Sequence, residues 1–320
     1  MSEGYQRRDA AIVDYELWRP EPGGDWLRGP APTSLAPGSY FACVGGAQTF
    51  GCFVARPWPT LLAEQIGLPV LNLGVAGAGP ALFRQPPFPR LLAGARFVVF
   101  QVMSGRSADC SRFASEGRER LRVRADDRVL GADEAWSEVL HGDLARWRQP
   151  LLRGLVNRWR ALCGRRHVRQ LVRETCADWS ARFRELFVET KAPKLLLWFS
   201  KRQPRHRPRF HSLSAMFGEF PQLVDERMVA AVAEIADGYV ECVTSRGSPQ
   251  LLRDRRTGVP VTVRPADAGT AEDPALRWTH NAYYPSPEMH EDAAAALLAS
   301  ARVLCARAAP ASPLPRPGRG

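Results

Sequence analysis

The sequence predicts a three-layer α/β/α fold on a parallel five-stranded sheet. Three observations lead there. Five apolar, β-rich runs (40–44, 70–73, 97–103, 195–200 and 239–243) are continuous rather than alternating, as expected of strands covered on both faces. Helix-length segments lie between them, the pattern of a doubly wound sheet. The first three strands run into glycine-rich or polar turns, and such strand ends are where open α/β sheets bind ligands.

The elements follow in order. Strand 40–44 leads into Gly45-Gly46-Ala47-Gln48-Thr49-Phe50-Gly51. Segment 57–66 places Trp58, Leu61, Leu62 and Ile66 on one side, and Gly67 stops it. Strand 70–73 enters Asn72-Leu73-Gly74-Val75-Ala76-Gly77-Ala78-Gly79-Pro80. A less regular, proline-interrupted helix is expected over 80–95, then strand 97–103. Residues 109–130 are charged and arginine-rich, which predicts a loop over the sheet edge. More than 90 residues separate the third and fourth strands, far beyond a simple crossover. That interval predicts two helices, 147–163 and 167–190, split at Gly164. The second carries Val168, Leu171, Val172, Thr175, Trp179, Phe183 and Leu186 in register. After strand 195–200, His206 and His211 sit in a basic loop. Helix 223–236 shows a clean 3.6-residue period. Segment 244–277 reads as an irregular excursion with a short hairpin near Gly258. The alanine-rich helix 290–307 closes the fold, and the proline-rich 308–320 is expected to be disordered. The organisation is thus one domain, 1–307, with a basic helical insert at 109–192.

Composition sets the class. Of the 320 residues, 45% are hydrophobic and 24% charged, which fits a globular chain rather than a disordered one. No apolar run reaches the length of a transmembrane helix. The N-terminus, with Glu3, Arg7, Arg8 and Asp9, lacks the apolar core of a secretory leader, so a cytoplasmic protein is expected. Seven scattered cysteines without C-x-x-C argue against a disulfide framework or a zinc site, and no metal or cofactor is expected. A reactive thiol at Cys52 or Cys110 stays open. Residues 146–209 hold 15 arginines and three lysines against four acids, a net of +14 that exceeds the +11 of the whole chain. Two readings of that run stay open: a solvated helical face, or peripheral contact with an anionic surface. No nucleic-acid recognition motif is present, so nucleic acid is not an expected partner.

The chemistry-bearing residues cluster at three strand ends, with Gln101-Val102-Met103-Ser104-Gly105-Arg106 as the third. Neither G-x-G-x-x-G nor G-x-x-x-x-G-K-[ST] occurs, which excludes the usual dinucleotide and P-loop signatures. Gly46, Gly74 and Gly77 let backbone approach a ligand. Gln48 and Gln101 can bind but not catalyse. Arg106 can hold an anion or make surface salt bridges. Thr49 with His280 or His290 could form a hydroxyl–base pair. Equally, Thr49 could cap a turn and His290 pack at a helix start.

A strand followed by Gly45-x-x-x-Thr49-x-Gly51, then Asn72 and Gly74, then a Pro-rich turn before the last helix, resembles the SGNH/GDSL hydrolase superfamily over about half of the chain. Arg28-Gly29-Pro30, 45–51, 72–80 and the run Tyr283-Tyr284-Pro285-Ser286-Pro287-Glu288-Met289-His290 resemble more closely an uncharacterised bacterial family, a domain of unknown function. The superfamily resemblance implies a flavodoxin-like strand order 2-1-3-4-5, with Asn72 and Gly74 as oxyanion donors. The departures weigh against its chemistry. Gly46 stands at the usual aspartate, Ala47 at the nucleophilic serine and Tyr284 at the histidine, while Gln101 to Ser107 lacks Gly-x-Asn-Asp. Alanine has no oxygen for an acyl-enzyme. Two functions are therefore expected: a hydrolase or transferase with a rebuilt site for an anionic or glycan-type substrate, or an inactive relative binding such a ligand or a protein. Thr49, His290 and His280 are the candidate catalytic residues. Gly46, Gln48, Asn72, Gly74, Gly77, Gln101, Arg106 and Tyr284 are the candidate ligand contacts.

Overall fold

A computed structural model describes residues 2–21, 24–145, 155–264 and 277–307. In chain order, α1 (Ser2–Asp9) precedes β1 (Phe41–Gly45), the single turn α2 (Ala47–Phe50), α3 (Trp58–Ile66) and β2 (Val70–Gly74). A 3-10 turn (Pro80–Arg84) and α4 (Phe88–Ala93) lead to β3 (Val98–Gln101). Next come β4 (Phe113–Ala114), β5 (Arg120–Val123), β6 (Val129–Gly131), α5 (Ala132–Ala145) and α6 (Leu155–Glu189). The chain continues with β7 (Lys194–Ser200), α7 (Leu213–Phe217), α8 (Glu226–Ala233), β8 (Gly238–Val243), β9 (Gln250–Leu251), β10 (His280–Asn281) and α9 (Pro287–Arg307).

The main sheet runs β2-β1-β3-β7-β8, every pairing parallel. Counting only these five strands, the order is 2-1-3-4-5, as the sequence led us to expect. Strand pleating sorts their side chains onto two faces. Ala42, Val44, Leu71, Leu73, Val98, Phe100, Leu196 and Trp198 share one core with residues of α4, α6 and α8. Phe41, Cys43, Phe97, Val99, Leu195, Leu197 and Phe199 share the other with α3 and α9. Both faces of β1, β2, β3 and β7 are buried, which is why those runs are continuously apolar, whereas the edge strand β8 leaves Tyr239, Glu241 and Val243 exposed.

Several local expectations are corrected. The 80–95 helix is broken into the 3-10 turn and α4, because Pro86 and Pro87 have no N–H to continue a helix. The 109–130 loop is a three-stranded antiparallel sheet, β4-β5-β6. Its signal was short: in Arg120-Leu121-Arg122-Val123, the leucine and valine are buried and the arginines exposed. Helix α5, absent from the sequence reading, packs Ala135, Trp136 and Val139 on this sheet. The two insert helices are one continuous α6 from Leu155, and Gly164 does not break it. A mid-helix glycine costs only about 1 kcal/mol, which burial of Val168, Leu171, Val172, Trp179 and Phe183 outweighs. At about 1.5 Å per residue, 35 residues span about 50 Å. Val168, Leu171 and Val172 in the middle of α6 pack in the insert core, and Trp179, Phe183, Leu186 and Phe187 further along pack on the central sheet. Helix 223–236 is shorter, with Asp225 accepting from Arg227 N–H and Met228 N–H as its cap. In the 244–277 excursion, Arg253 and Pro260 bridge across the turn at Gly258, which has positive φ. Residues 147–154 of the expected first insert helix, 265–276 of the excursion and the 308–320 tail lie outside the described residues.

Burial raises the pKa of Cys43, Cys52, Cys110, Cys176 and Cys242, so these thiols are not thiolates near neutrality. This removes the reactive-thiol reading for Cys52 and Cys110. No helix among the described residues is long and apolar enough to cross a membrane.

The β1–α2 turn sits against the end of β2 so closely that a Cβ at Gly74 would lie 2.2 Å from the backbone nitrogen of Phe50. Gly74→Ala is therefore expected to destabilise the fold by about 1–3 kcal/mol, read as a lower denaturation midpoint in urea with an unchanged m-value.

Candidate functional site

Two adjacent cavities lie at the carboxyl ends of the strands, with Gln48, Phe220 and Tyr283 in the walls of both. The larger is about 300 Å³, at the small end of the range for small-molecule sites. Phe199, Phe220, Pro285 and Met289 give it an apolar lining, and Ser200, Lys201, Glu219 and Gln222 contribute polar groups. The smaller, about 110 Å³, lies against Gly46, Ala47, Gly77, Ser104 and Glu119, with Tyr5 of α1 at its edge.

The first strand end is fastened from inside. The Thr49 hydroxyl donates to Gln101 Oε1, and Asn72 Nδ2 donates to the Thr49 carbonyl at 3.0 Å. Asn72 Oδ1 in turn accepts from Gly74 N–H at 2.9 Å. Asn72 and the Gly74 amide therefore brace β2 against α2, and both are spent on the protein itself. Gln101 Nε2 is buried and has no partner. Arg28 reinforces the same corner, donating to the carbonyls of Phe50, Gly51, Val54 and Ala55. Desolvation in that position pushes its pKa down to about 10.

The structure does not bring the three candidate catalytic residues together. Thr49 is fully buried, with its hydroxyl engaged as above. His290 lies in the first turns of α9, where Nδ1 accepts from Trp58 N–H at 3.0 Å and the ring meets Phe199 edge-on at 5.5 Å. Its Nε2 is buried without a partner, and burial followed by the charge of Arg28 pushes its pKa down to about 3. His280 is exposed on β10, paired with Leu251.

Among the candidate ligand contacts, Gly46, Gln48, Gly77 and Tyr284 border the smaller cavity, whereas Asn72, Gly74 and Gln101 support it from behind. Gln48 is only 3% exposed and borders both cavities. A Cβ at Gly46 would come within 3.2 Å of Gln48 Oε1, so glycine there leaves room for the amide. The carbonyl of Gly77 accepts from Glu119 N–H, docking the insert on the β2 loop. Tyr284 shares a 3.1 Å hydrogen bond with Tyr5, and its pKa is raised by burial. Arg106 pairs with Glu119 at 2.8 Å and Asp133 at 2.6 Å, so its charge is already balanced.

The sequence reading missed four groups. Lys201 and Gln222 border the larger cavity, Tyr283 borders both, and Tyr5 arrives from an N-terminus read only as polar. Lys201 alone carried a signal, because it follows the apolar run of β7 just as the other candidates follow theirs. Among the described residues no group of His, Cys, Asp and Glu is placed to hold a metal ion.

The fold and site define a three-layer α/β/α protein with a polar cleft at the strand ends. Residues 3–305 match the family described as a domain of unknown function (DUF6473), and the chain belongs to that family. No curated protein matches the sequence. Among solved structures, a carbohydrate esterase family 2 enzyme with a carbohydrate-binding domain from Corynascus thermopiles (Myceliophthora fergusii) is similar at 11% identity and a TM-score of 0.39, covering 88% of this chain and 71% of that one. A protein described as a possible lipase from Chitinophaga pinensis is similar at 14% identity and a TM-score of 0.36, covering 83% and 98%.

Two predictions follow from this geometry. Ala47→Ser is expected to hydrolyse p-nitrophenyl acetate no faster than wild type: the phenol of Tyr284 shares its cavity, and His290 has spent its accepting nitrogen on Trp58. Burst or steady-state release of nitrophenolate above the wild-type rate contradicts this. Second, burial pushes the pKa of His290 down to about 3 in the folded protein, from about 6.5 for an ordinary histidine. The unfolded chain thus binds more protons between these values, and stability is lost as pH falls through that window, by up to about 1.4 kcal/mol per pH unit. Urea unfolding of wild type and His290→Gln at pH 7 and pH 5 checks it: the variant should lose less stability on acidification.

Proposed function

We propose that this protein binds a small polyhydroxylated, glycan-type ligand at the strand ends and does not perform acyl transfer through a serine-type nucleophile. The observation that carries this reading is Gln48, a residue only 3% exposed whose side chain borders both cavities. Its amide offers donors and an acceptor to the cavity side, which a ligand with adjacent hydroxyls would meet. Gln222 adds to the same supply. Its Nε2 donates to the Tyr283 hydroxyl at 3.3 Å, while its Oε1 is buried without a partner. The apolar surfaces of Phe199, Phe220, Pro285 and Met289 suit the carbon faces of a sugar ring.

The engagement of the residues considered for a rebuilt site supports binding over turnover. Ala47 carries no attacking atom, and the hydroxyl and imidazoles considered for a rebuilt site are engaged or apart. A superfamily framework of the SGNH kind, stripped of its nucleophile and keeping its strand-end pocket, accounts for both facts.

A panel of neutral and acidic monosaccharides and disaccharides, titrated by calorimetry against wild type and Gln48→Ala, tests this. At least one sugar should bind wild type, with affinity reduced about tenfold or more in the variant. If no sugar in the panel binds wild type, the reading is lost.

A further inference from the structure

The larger cavity carries a cation with no close ion pair among the described residues. Lys201 Nζ donates to Ser248 Oγ and to the Ala282 carbonyl, both at 2.6 Å. An ammonium has three N–H donors, so one is left. No described carboxylate lies within ion-pair distance of it, unlike Arg106, which pairs with Glu119 and Asp133. Glu219, on the same cavity, is exposed and acts on Lys201 only at longer range. Desolvation lowers the lysine pKa by more than Glu219 raises it, so the group is a net-destabilised cation. The smaller cavity differs. Its acid, Glu119, is matched by Arg106, so no free positive charge faces a ligand there.

We infer that the ligand carries an acidic substituent, held by Lys201 in the larger cavity, with its uncharged hydroxyls directed toward Gln48 and the smaller cavity. The chemical class is a sugar acid, a ring or chain of hydroxyls ending in a carboxylate. The inference rests on the glycan-binding reading above and extends it, because neutral and acidic sugars make different use of the two ends. A carboxylate at Lys201 takes the remaining N–H as a charge-assisted hydrogen bond in a partly desolvated wall, where such bonds are strongest. Gln222 and Tyr283 lie in the same wall and can meet hydroxyls beside it.

Titration of wild type with D-glucuronate and D-galacturonate against D-glucose and D-galactose tests this. Each uronate is expected to bind about tenfold or more tightly than its neutral counterpart, with the advantage shrinking at high salt. Lys201→Met should bring the ratio close to one, the loss falling on the uronate, and Lys201→Arg should restore part of it. Melting curves of both variants confirm that they are folded. Uronates and neutral sugars binding equally to wild type, or a ratio unchanged in Lys201→Met, overturns the acidic-ligand inference and leaves glycan binding standing. Failure of all four sugars and of the wider panel removes both.

Discussion

The arrangement of the cleft depends on the brace between the β1–α2 turn and the ends of β2 and β3. Asn72 bonds to both the Thr49 carbonyl and the Gly74 amide, while the Thr49 hydroxyl reaches across to Gln101. These bonds lie in the buried interior, where each counts for more than at the surface and where an unmade one is costly. Arg28 closes the other side of the same turn by gathering four carbonyl oxygens. Once α2 is locked in this position, Ala47 and Gln48 are the residues that open onto the cavities.

This brace also decides what the site cannot do. Polar groups that would serve a reacting carbonyl elsewhere are consumed in holding the turn. The side chains that line the cavities include the amides of Gln48 and Gln222, the phenols of Tyr5, Tyr283 and Tyr284, the Lys201 ammonium and the carboxylates of Glu119 and Glu219.

The surroundings of the cleft come from distant parts of the chain. The carbonyl and carboxylate contacts of Gly77 and Arg106 tie the three-stranded insert sheet to the strand ends through Glu119. On the opposite side α1 lays Tyr5 against Tyr284, and Arg8 stacks on Tyr5 and Phe53 at 4.7 and 4.5 Å from the ring centres. Helix α6 links the insert core and the sheet core in one rigid rod.

The sequence by itself determined the strands of the main sheet, because strands buried on both faces must be continuously apolar, and Phe41-Ala42-Cys43-Val44 or Leu195-Leu196-Leu197-Trp198 allow little else; the strand order followed only from the family resemblance. It also pointed to the strand ends, where the structure has two cavities. What it could not show is which polar groups face each other. Thr49, Asn72 and Gln101 look like ligand contacts in one dimension and prove to be one another's partners in three. Arg106 looks like a free cation until Glu119 and Asp133 arrive from the insert, whereas Lys201 has no carboxylate within ion-pair distance among the described residues. The small insert sheet escaped notice because two-to-four-residue strands rich in exposed arginine carry almost no hydrophobic periodicity, and α6 hid its continuity because one glycine weighs little against a long buried stripe. Hydrogen-bond partnership and charge compensation are properties of contacts between distant segments, so only the tertiary structure decided them.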